Sequence, residues 1–187
     1  MILYGTIYSP YVRRVRLYMA EMDYKFETLD GVDDEDFLMR SPIQKVPLLE
    51  DGKQQIYDSR LIYNYLREKH DREQLSWDDE NFLTIINEAT DALLTLLQLD
   101  RSGIKDDSLE YRKKTIHRTE VLYDFLEQQV DSFIDDWEFP QMALLSLLEW
   151  AKFRGLKNYE DYQNLMKFVE AHQLRSGVKQ TAPEAQK

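Results

Sequence analysis

Ile2-Leu3-Tyr4-Gly5-Thr6-Ile7-Tyr8-Ser9-Pro10-Tyr11-Val12-Arg13-Arg14-Val15-Arg16 is the stretch whose reading decides the fold. Ile2 to Ile7 is an apolar and aromatic run that stops at Ser9-Pro10, which reads as a short strand. Val12, Val15, Met19 and Met22 then recur at helical spacing, with Arg13, Arg14 and Arg16 on other faces. Serine is a favoured N-cap and proline a favoured first helical residue, so the junction between strand and helix falls at Ser9-Pro10.

Working outward, Tyr24, Phe26 and Thr28 alternate with Lys25 and Glu27 as in a strand. The acidic run Asp33-Asp34-Glu35-Asp36 leads into a short helix at Phe37-Leu38-Met39. Val46-Pro47-Leu48-Leu49 opens a further strand, and Asp51-Gly52 signals a hairpin before Gln55-Ile56-Tyr57. Ser59 reads as the N-cap of a helix with Leu61, Ile62, Tyr65 and Leu66 on its apolar face. Residues 1–70 thus read as a β-α-β-(short α)-β-β-α domain, followed by a polar linker over 71–79.

Residues 80–187 read as all-helical. Phe82, Ile85, Ile86, Ala89, Leu93, Leu96 and Leu97 form one long stripe, broken at Ser102-Gly103. A second helix from about Leu109 turns Ile116, Leu122, Phe125, Leu126 and Val130 inward. The third, up to Phe153, is apolar almost all round and belongs at the centre of the helical domain. Its start, Phe139-Pro140-Gln141-Met142, carries no Ser/Thr-x-x-Asp capping pattern, and loss of a cap costs about 1 kcal/mol. Asn158 to Gln173 forms a fourth helix, and the tail from Ser176 reads as loosely attached.

Composition narrows the function classes. Against 24 Lys and Arg stand 35 Asp and Glu, a formal charge of −11, which repels nucleic acid and anionic membranes. No run approaches the ~18 consecutive apolar residues of a membrane span. The opening Met1-Ile2-Leu3-Tyr4-Gly5 lacks the basic region of a signal peptide, and a cytoplasmic location is expected. Cysteine is absent, which excludes disulfides, thiolate metal sites and a cysteine nucleophile. His70, His117 and His172 are dispersed and Asp33 to Asp36 lack the spacing of a calcium loop, so no metal is expected.

Three motifs carry chemistry. Ser9 at a helix start caps that helix, and a hydroxyl there, beside free N–H groups and the positive end of the dipole, also suits an anion. Were that anion a thiolate, its pKa would fall by ~2 units from about 8.5. Pro47 is either an edge-strand residue or part of a cis bond whose preceding residue pairs with an extended peptide. Asp58-Ser59 opens a helix, either as a cap alone or as a grip on a group carrying both a carboxylate and an ammonium.

In this order and at these separations the motifs resemble the glutathione S-transferase family. The matching stretches are Ser9-Pro10-Tyr11-Val12-Arg13-Arg14-Val15-Arg16, then Ser41-Pro42-Ile43-Gln44-Lys45-Val46-Pro47-Leu48-Leu49-Glu50, then Asp58-Ser59-Arg60-Leu61-Ile62-Tyr63-Asn64-Tyr65-Leu66. The resemblance implies a thioredoxin-like N-terminal domain followed by an all-helical C-terminal domain, assembled as a homodimer. It implies a detoxifying transferase that conjugates glutathione, as co-substrate, to small apolar electrophiles from the cleft between the domains.

By the same resemblance Ser9 is the catalytic residue that stabilises the thiolate, with Tyr8 as the alternative. Tyr11, Lys45, Val46, Pro47, Asp58 and Ser59 are the glutathione-binding residues. Val46 pairs with the cysteinyl part, Lys45 meets the glycyl carboxylate, and Asp58 with Ser59 holds the γ-glutamyl end. Leu97, Asp100 and Arg101 are placed by analogy on one wall of the electrophile pocket. The alternative from another class is a non-catalytic scaffold acting by protein–protein contact. A peroxidase or dehalogenase-like use of the same thiolate is a third reading.

Overall fold

The protein is described by a computed structural model over residues 1–29 and 41–183. The acidic run and the short helix expected at residues 33–39 lie outside the described residues. The chain divides into two compact units, one of residues 1–75 together with the chain from Leu174, the other Ser76–Gln173.

In the first unit, β1 (Ile2–Gly5) is followed by α1 (Pro10–Tyr18) and β2 (Lys25–Thr28). After the undescribed stretch come β3 (Leu48–Asp51), β4 (Gln54–Tyr57) and α2 (Ser59–Lys69). The sheet order is β2-β1-β3-β4, with β1 and β2 parallel and the other two pairs antiparallel. Leu3, Leu48 and Leu49 are fully buried from the sheet, and Val12, Val15, Ile62 and Leu66 from the helices. Gly52, at φ 61°, supplies the left-handed residue that the tight turn between β3 and β4 needs.

Gly5 has a different reason. A Cβ there would lie 2.5 and 2.7 Å from the two methyl carbons of Val12, so the end of β1 and the first turn of α1 touch only because the side chain is missing. The path of the chain from strand to helix is held by that contact.

Arg13 and Arg14, which periodicity places off the apolar face of α1, are buried, at 2% and 3% exposure. Arg13 Nε donates to Thr181 Oγ1 at 3.3 Å and Arg14 Nε to Ser59 Oγ at 3.0 Å. One expectation for this unit is corrected: the tail is not loose, because α7 (Val178–Thr181) packs on α1 with Val178 and Thr181 buried.

The second unit holds α3 (Trp77–Arg101), α4 (Glu110–Gln129), α5 (Phe139–Phe153) and α6 (Gln163–His172). Ser76 caps α3 by accepting from Asp79 N–H at 3.1 Å, so the link from α2 is shorter than the sequence suggests. Among the described residues α3 alone is long and apolar enough, by length and composition, to cross a membrane. Phe82, Leu83, Ile86, Ala89, Leu93 and Leu96 are instead buried, and α3 packs on α4 and α5. All of α5 is buried except Glu149, Lys152 and Phe153.

The start of α5 is capped without a Ser/Thr-x-x-Asp pattern. Glu138 is its N-cap and forms a capping box with Gln141, whose Oε1 accepts from Glu138 N–H at 3.1 Å. The buried stripe of α4 differs from the one expected. It runs through Thr115, Thr119, Tyr123 and Leu126, whereas Phe125 stays 41% exposed. Thr115 and Thr119 bury with their hydroxyls satisfied, donating to Tyr111 O (2.8 Å) and Thr115 O (2.9 Å). Helix α6 borrows its cap, since Glu127 of α4 accepts from Asn164 N–H and Leu165 N–H at 2.9 Å each.

Gly5→Ala tests the junction at the end of β1. Overpacking against Val12 is expected to destabilise the protein by about 1–3 kcal/mol, read as a lowered midpoint in urea unfolding at unchanged m. A change below about 0.5 kcal/mol would remove the claim that this contact sets the path into α1.

Candidate functional site

Register alone brings the three motifs to one end of the sheet. Tyr4 of β1 lies opposite Leu48 of β3, and Leu48 lies opposite Tyr57 of β4, so these residues form one row across three strands. Beyond that row β1 is leaving toward Ser9, β3 has just entered from Val46-Pro47, and β4 is leaving toward Asp58-Ser59. Antiparallel neighbours alternate in direction, and this is why an exit, an entry and an exit meet at a single edge. Tyr4, Val46 and Tyr57 pack against the buried Leu29 and Leu48, giving that edge a small apolar floor.

Ser9 is the N-cap of α1, with Pro10 at the first helical position. Its Oγ accepts from Val12 N–H at 3.3 Å. A hydroxyl that accepts inward keeps its own proton to donate outward, beside the positive end of the helix dipole. Tyr8 is 38% exposed, and its backbone N–H donates to Thr6 Oγ1 at 3.4 Å. Tyr11 is half-buried, with the Arg14 guanidinium 4.6 Å from its ring centroid.

The peptide bond between Val46 and Pro47 is cis. Pro47 is buried and Val46 half-buried. Lys45 is exposed, at the end of a turn in which Gln44 N–H donates to Ser41 O at 2.9 Å and Ser41 Oγ donates to Lys45 O at 3.3 Å.

The start of α2 is arranged differently from the sequence reading. Asp58, not Ser59, is the N-cap, and its Oδ1 accepts from Arg60 N–H at 2.8 Å and from Leu61 N–H at 3.4 Å. Asp58 sits at φ 73°, an uncommon conformation for a residue with a side chain. Ser59 is the first helical residue and has no exposed surface. Its Oγ accepts from both Nε and Nη2 of Arg14. Asp58 is thus exposed at this helix start, as is Leu61, while Ser59 and Arg14 are buried.

Arg14 is the residue that periodicity missed. An apolar stripe records only which residues lack charge, so it assigns a cation to solvent by default. The available signal was the cluster of Arg13, Arg14 and Arg16 in a strongly acidic chain. The residues placed by analogy on the electrophile wall belong to the second unit. There Leu97 is half-buried, Arg101 is exposed, and Asp100 accepts from Arg112 Nη1 at 2.7 Å. The second unit also has an open groove of about 590 Å³ floored by Phe82 and Phe133, stacked at 4.5 Å. His172 is buried between the rings of Trp137 and Phe168, at 4.7 and 4.6 Å.

A four-stranded mixed sheet with a cis proline at one edge and two helices opening at that edge defines a thioredoxin-like domain, and the domain after it is all-helical. Residues 3–74 match the family described as "Glutathione S-transferase, N-terminal domain". Glutathione S-transferase 4 of Zea mays is 35% identical over 79 residues, which are 39% of this chain and 35% of that protein's length.

Among solved structures, a glutathione S-transferase of Methylobacillus flagellatus with GSH bound superimposes with a TM-score of 0.83. It is 22% identical and the match covers 97% of this chain and 98% of that one. A bacterial maleyl pyruvate isomerase of the Zeta class gives 0.80 at 18% identity, covering 99% and 98%. At these identities the two structures speak for the fold.

Replacing Asp58 separates its cap from its backbone conformation. Asp58→Ala loses the cap and keeps the strained φ, so a loss of about 1–2 kcal/mol in unfolding free energy is expected. Asp58→Gly loses the same cap but relaxes the backbone, and its loss should be only a few tenths. Equal losses in the two variants would show that the positive φ carries no cost.

Proposed function

We propose that the protein binds glutathione at this edge of the N-terminal domain and conjugates its sulfur to small electrophiles. The observation that carries the reading is the meeting, at one sheet edge, of a serine-capped helix start, the cis Val46–Pro47 bond and the start of α2. The match of residues 3–74 to the glutathione S-transferase N-terminal domain and the GSH bound in the Methylobacillus flagellatus structure add support.

In this reading the thiolate sits at the start of α1 and accepts the outward proton of Ser9. The helix dipole and the free N–H groups of the first turn lower its pKa from about 8.5 toward ~6.5. At neutral pH most of the bound thiol is then nucleophile. The thiolate attacks the electrophile, a carbon–sulfur bond forms, and the leaving group departs with the electron pair of the bond it loses. Val46 aligns the cysteinyl backbone, and Lys45, exposed beside it, meets the glycyl carboxylate. Tyr11 closes one side. The γ-glutamyl end lies at the start of α2, with Asp58 toward its ammonium. Ser9 rather than Tyr8 is the thiol's partner in this proposal, because Ser9 is the residue at the helix start. A homodimer in the cytoplasm, detoxifying small apolar electrophiles without a metal, completes it.

Ser9→Ala is the test. The variant should still be retained on immobilised glutathione, while conjugation of a chloronitrobenzene falls by about 10–100-fold at pH 6.5. The pH profile of kcat/KM should move its lower limb upward, toward the pKa of free thiol near ~8.5. Wild-type protein that is retained but turns nothing over would point to a binding module. Protein that is not retained at all would favour the scaffold.

A further inference from the structure

Resting on the glutathione reading, we infer that α7 is a clamp on the thiol site, with Thr181 as a positioning residue that holds Ser9 through the first turn of α1. The link runs through Arg13. Its backbone N–H donates to Ser9 O at 3.0 Å, next to the bond from Val12 N–H to Ser9 Oγ, so Arg13 closes the turn that Ser9 caps. Its side chain, at 2% exposure, donates from Nε to Thr181 Oγ1 at 3.3 Å, across 168 residues of chain. One residue thus joins the last described helix to the serine proposed to meet the sulfur.

The hydroxyl of Thr181 is set up to accept. Its proton goes to Gly177 O at 2.8 Å, which leaves its lone pairs for the Arg13 guanidinium. Two further contacts dock α7. Val178 is buried, and a Cβ on Gly177 would lie 2.9 Å from that of Ala20, just past the end of α1. Gly177 also sits at φ 78°, where a side chain is disfavoured, so this close approach needs glycine. Helix α1 has only nine residues, too few to hold a helix unaided, so its first turn is as firm as the contacts around it. Local opening of that turn turns Ser9 and the neighbouring N–H groups away from a common point, and an anion there loses its stabilisation. Thr181 does not touch glutathione in this scheme. It acts on the sulfur through Arg13 and the turn.

Two measurements on the full chain decide the point. One is backbone hydrogen exchange resolved at Val12 and Arg13, and the other is the pH profile of kcat/KM for conjugation of a chloronitrobenzene. Thr181→Val keeps the shape of the side chain and removes the acceptor. It should speed exchange at those two amides by about tenfold, and by clearly less at Leu3 of β1 and Ile62 of α2. The lower limb of the pH profile should move upward by about half a pH unit or more. Thr181→Ser, which returns the hydroxyl, should restore the limb and bring exchange to within about threefold of wild type. Gly177→Ala, which disturbs the docking of α7 and leaves Thr181 in place, should reproduce the pattern of Thr181→Val.

Equal acceleration at Val12, Arg13, Leu3 and Ile62 would overturn the inference, since a loss of overall stability alone predicts that. Faster exchange in the first turn with an unmoved pH limb would overturn it too, as would a Thr181→Ser variant as impaired as Thr181→Val. Should Thr181→Val fail to fold, Gly177→Ala carries the same comparison, with the same overturning results. If wild-type protein does not bind glutathione, the glutathione reading itself fails and takes the positioning role with it. If wild-type protein conjugates and the variants match it in both readouts, only the inference fails.

Discussion

The register of three strands is the constraint on which the rest depends. Tyr4, Leu48 and Tyr57 stand in one row, and the antiparallel pairing of β1 with β3 and of β3 with β4 sends the chain past that row in alternating directions. A slip of β3 by one residue would put either Pro47 in the place of Leu48 or the half-buried Glu50 in the place of Leu49, and both leucines are now fully buried. Burial of these leucines therefore fixes the register, and the register fixes which loops share an edge. The helix starts at Ser9 and Asp58 and the cis Val46–Pro47 bond come together as its consequence.

Helix α1 is joined to its surroundings by charge as much as by apolar contact. Of its buried residues, Val12 and Val15 behave as any core residues would, while Arg13 and Arg14 reach hydroxyls far apart in the sequence. Arg13 meets Thr181 in the last described helix and Arg14 meets Ser59 at the start of α2. A buried guanidinium tolerates only well-directed partners, so each of these contacts fixes an element more narrowly than a leucine in the same place would.

Capping is where the helical unit departs most from a local reading. The start of α5 is capped by Glu138 and Gln141, a Glu/Gln version of a pattern usually sought as serine or threonine. The start of α6 has no capping side chain of its own and depends on Glu127, 37 residues earlier in the chain. An N–H group at a helix start needs an acceptor, and that acceptor need not be near it in sequence. Phe125 shows the same limit. Its spacing suits an inward face, but the buried face of α4 runs through Thr115, Thr119 and Tyr123, and a threonine is not counted as apolar when periodicity is read.

What the sequence by itself determined was the kind and order of the elements. The run up to Ser9-Pro10, the Asp51-Gly52 turn and the apolar length of α5 are local signals, set by backbone preference and by periodicity within a few residues. The placement of Ser9 as a cap was legible for the same reason. Tertiary structure decided the isomer at Pro47, the exchange of capping roles between Ser59 and Asp58, the docking of the tail on α1 and the burial of Arg14. Each of these turns on which distant group arrives at a given atom. A guanidinium follows its hydrogen-bond partner into the interior, and that partner lies 45 residues further along the chain.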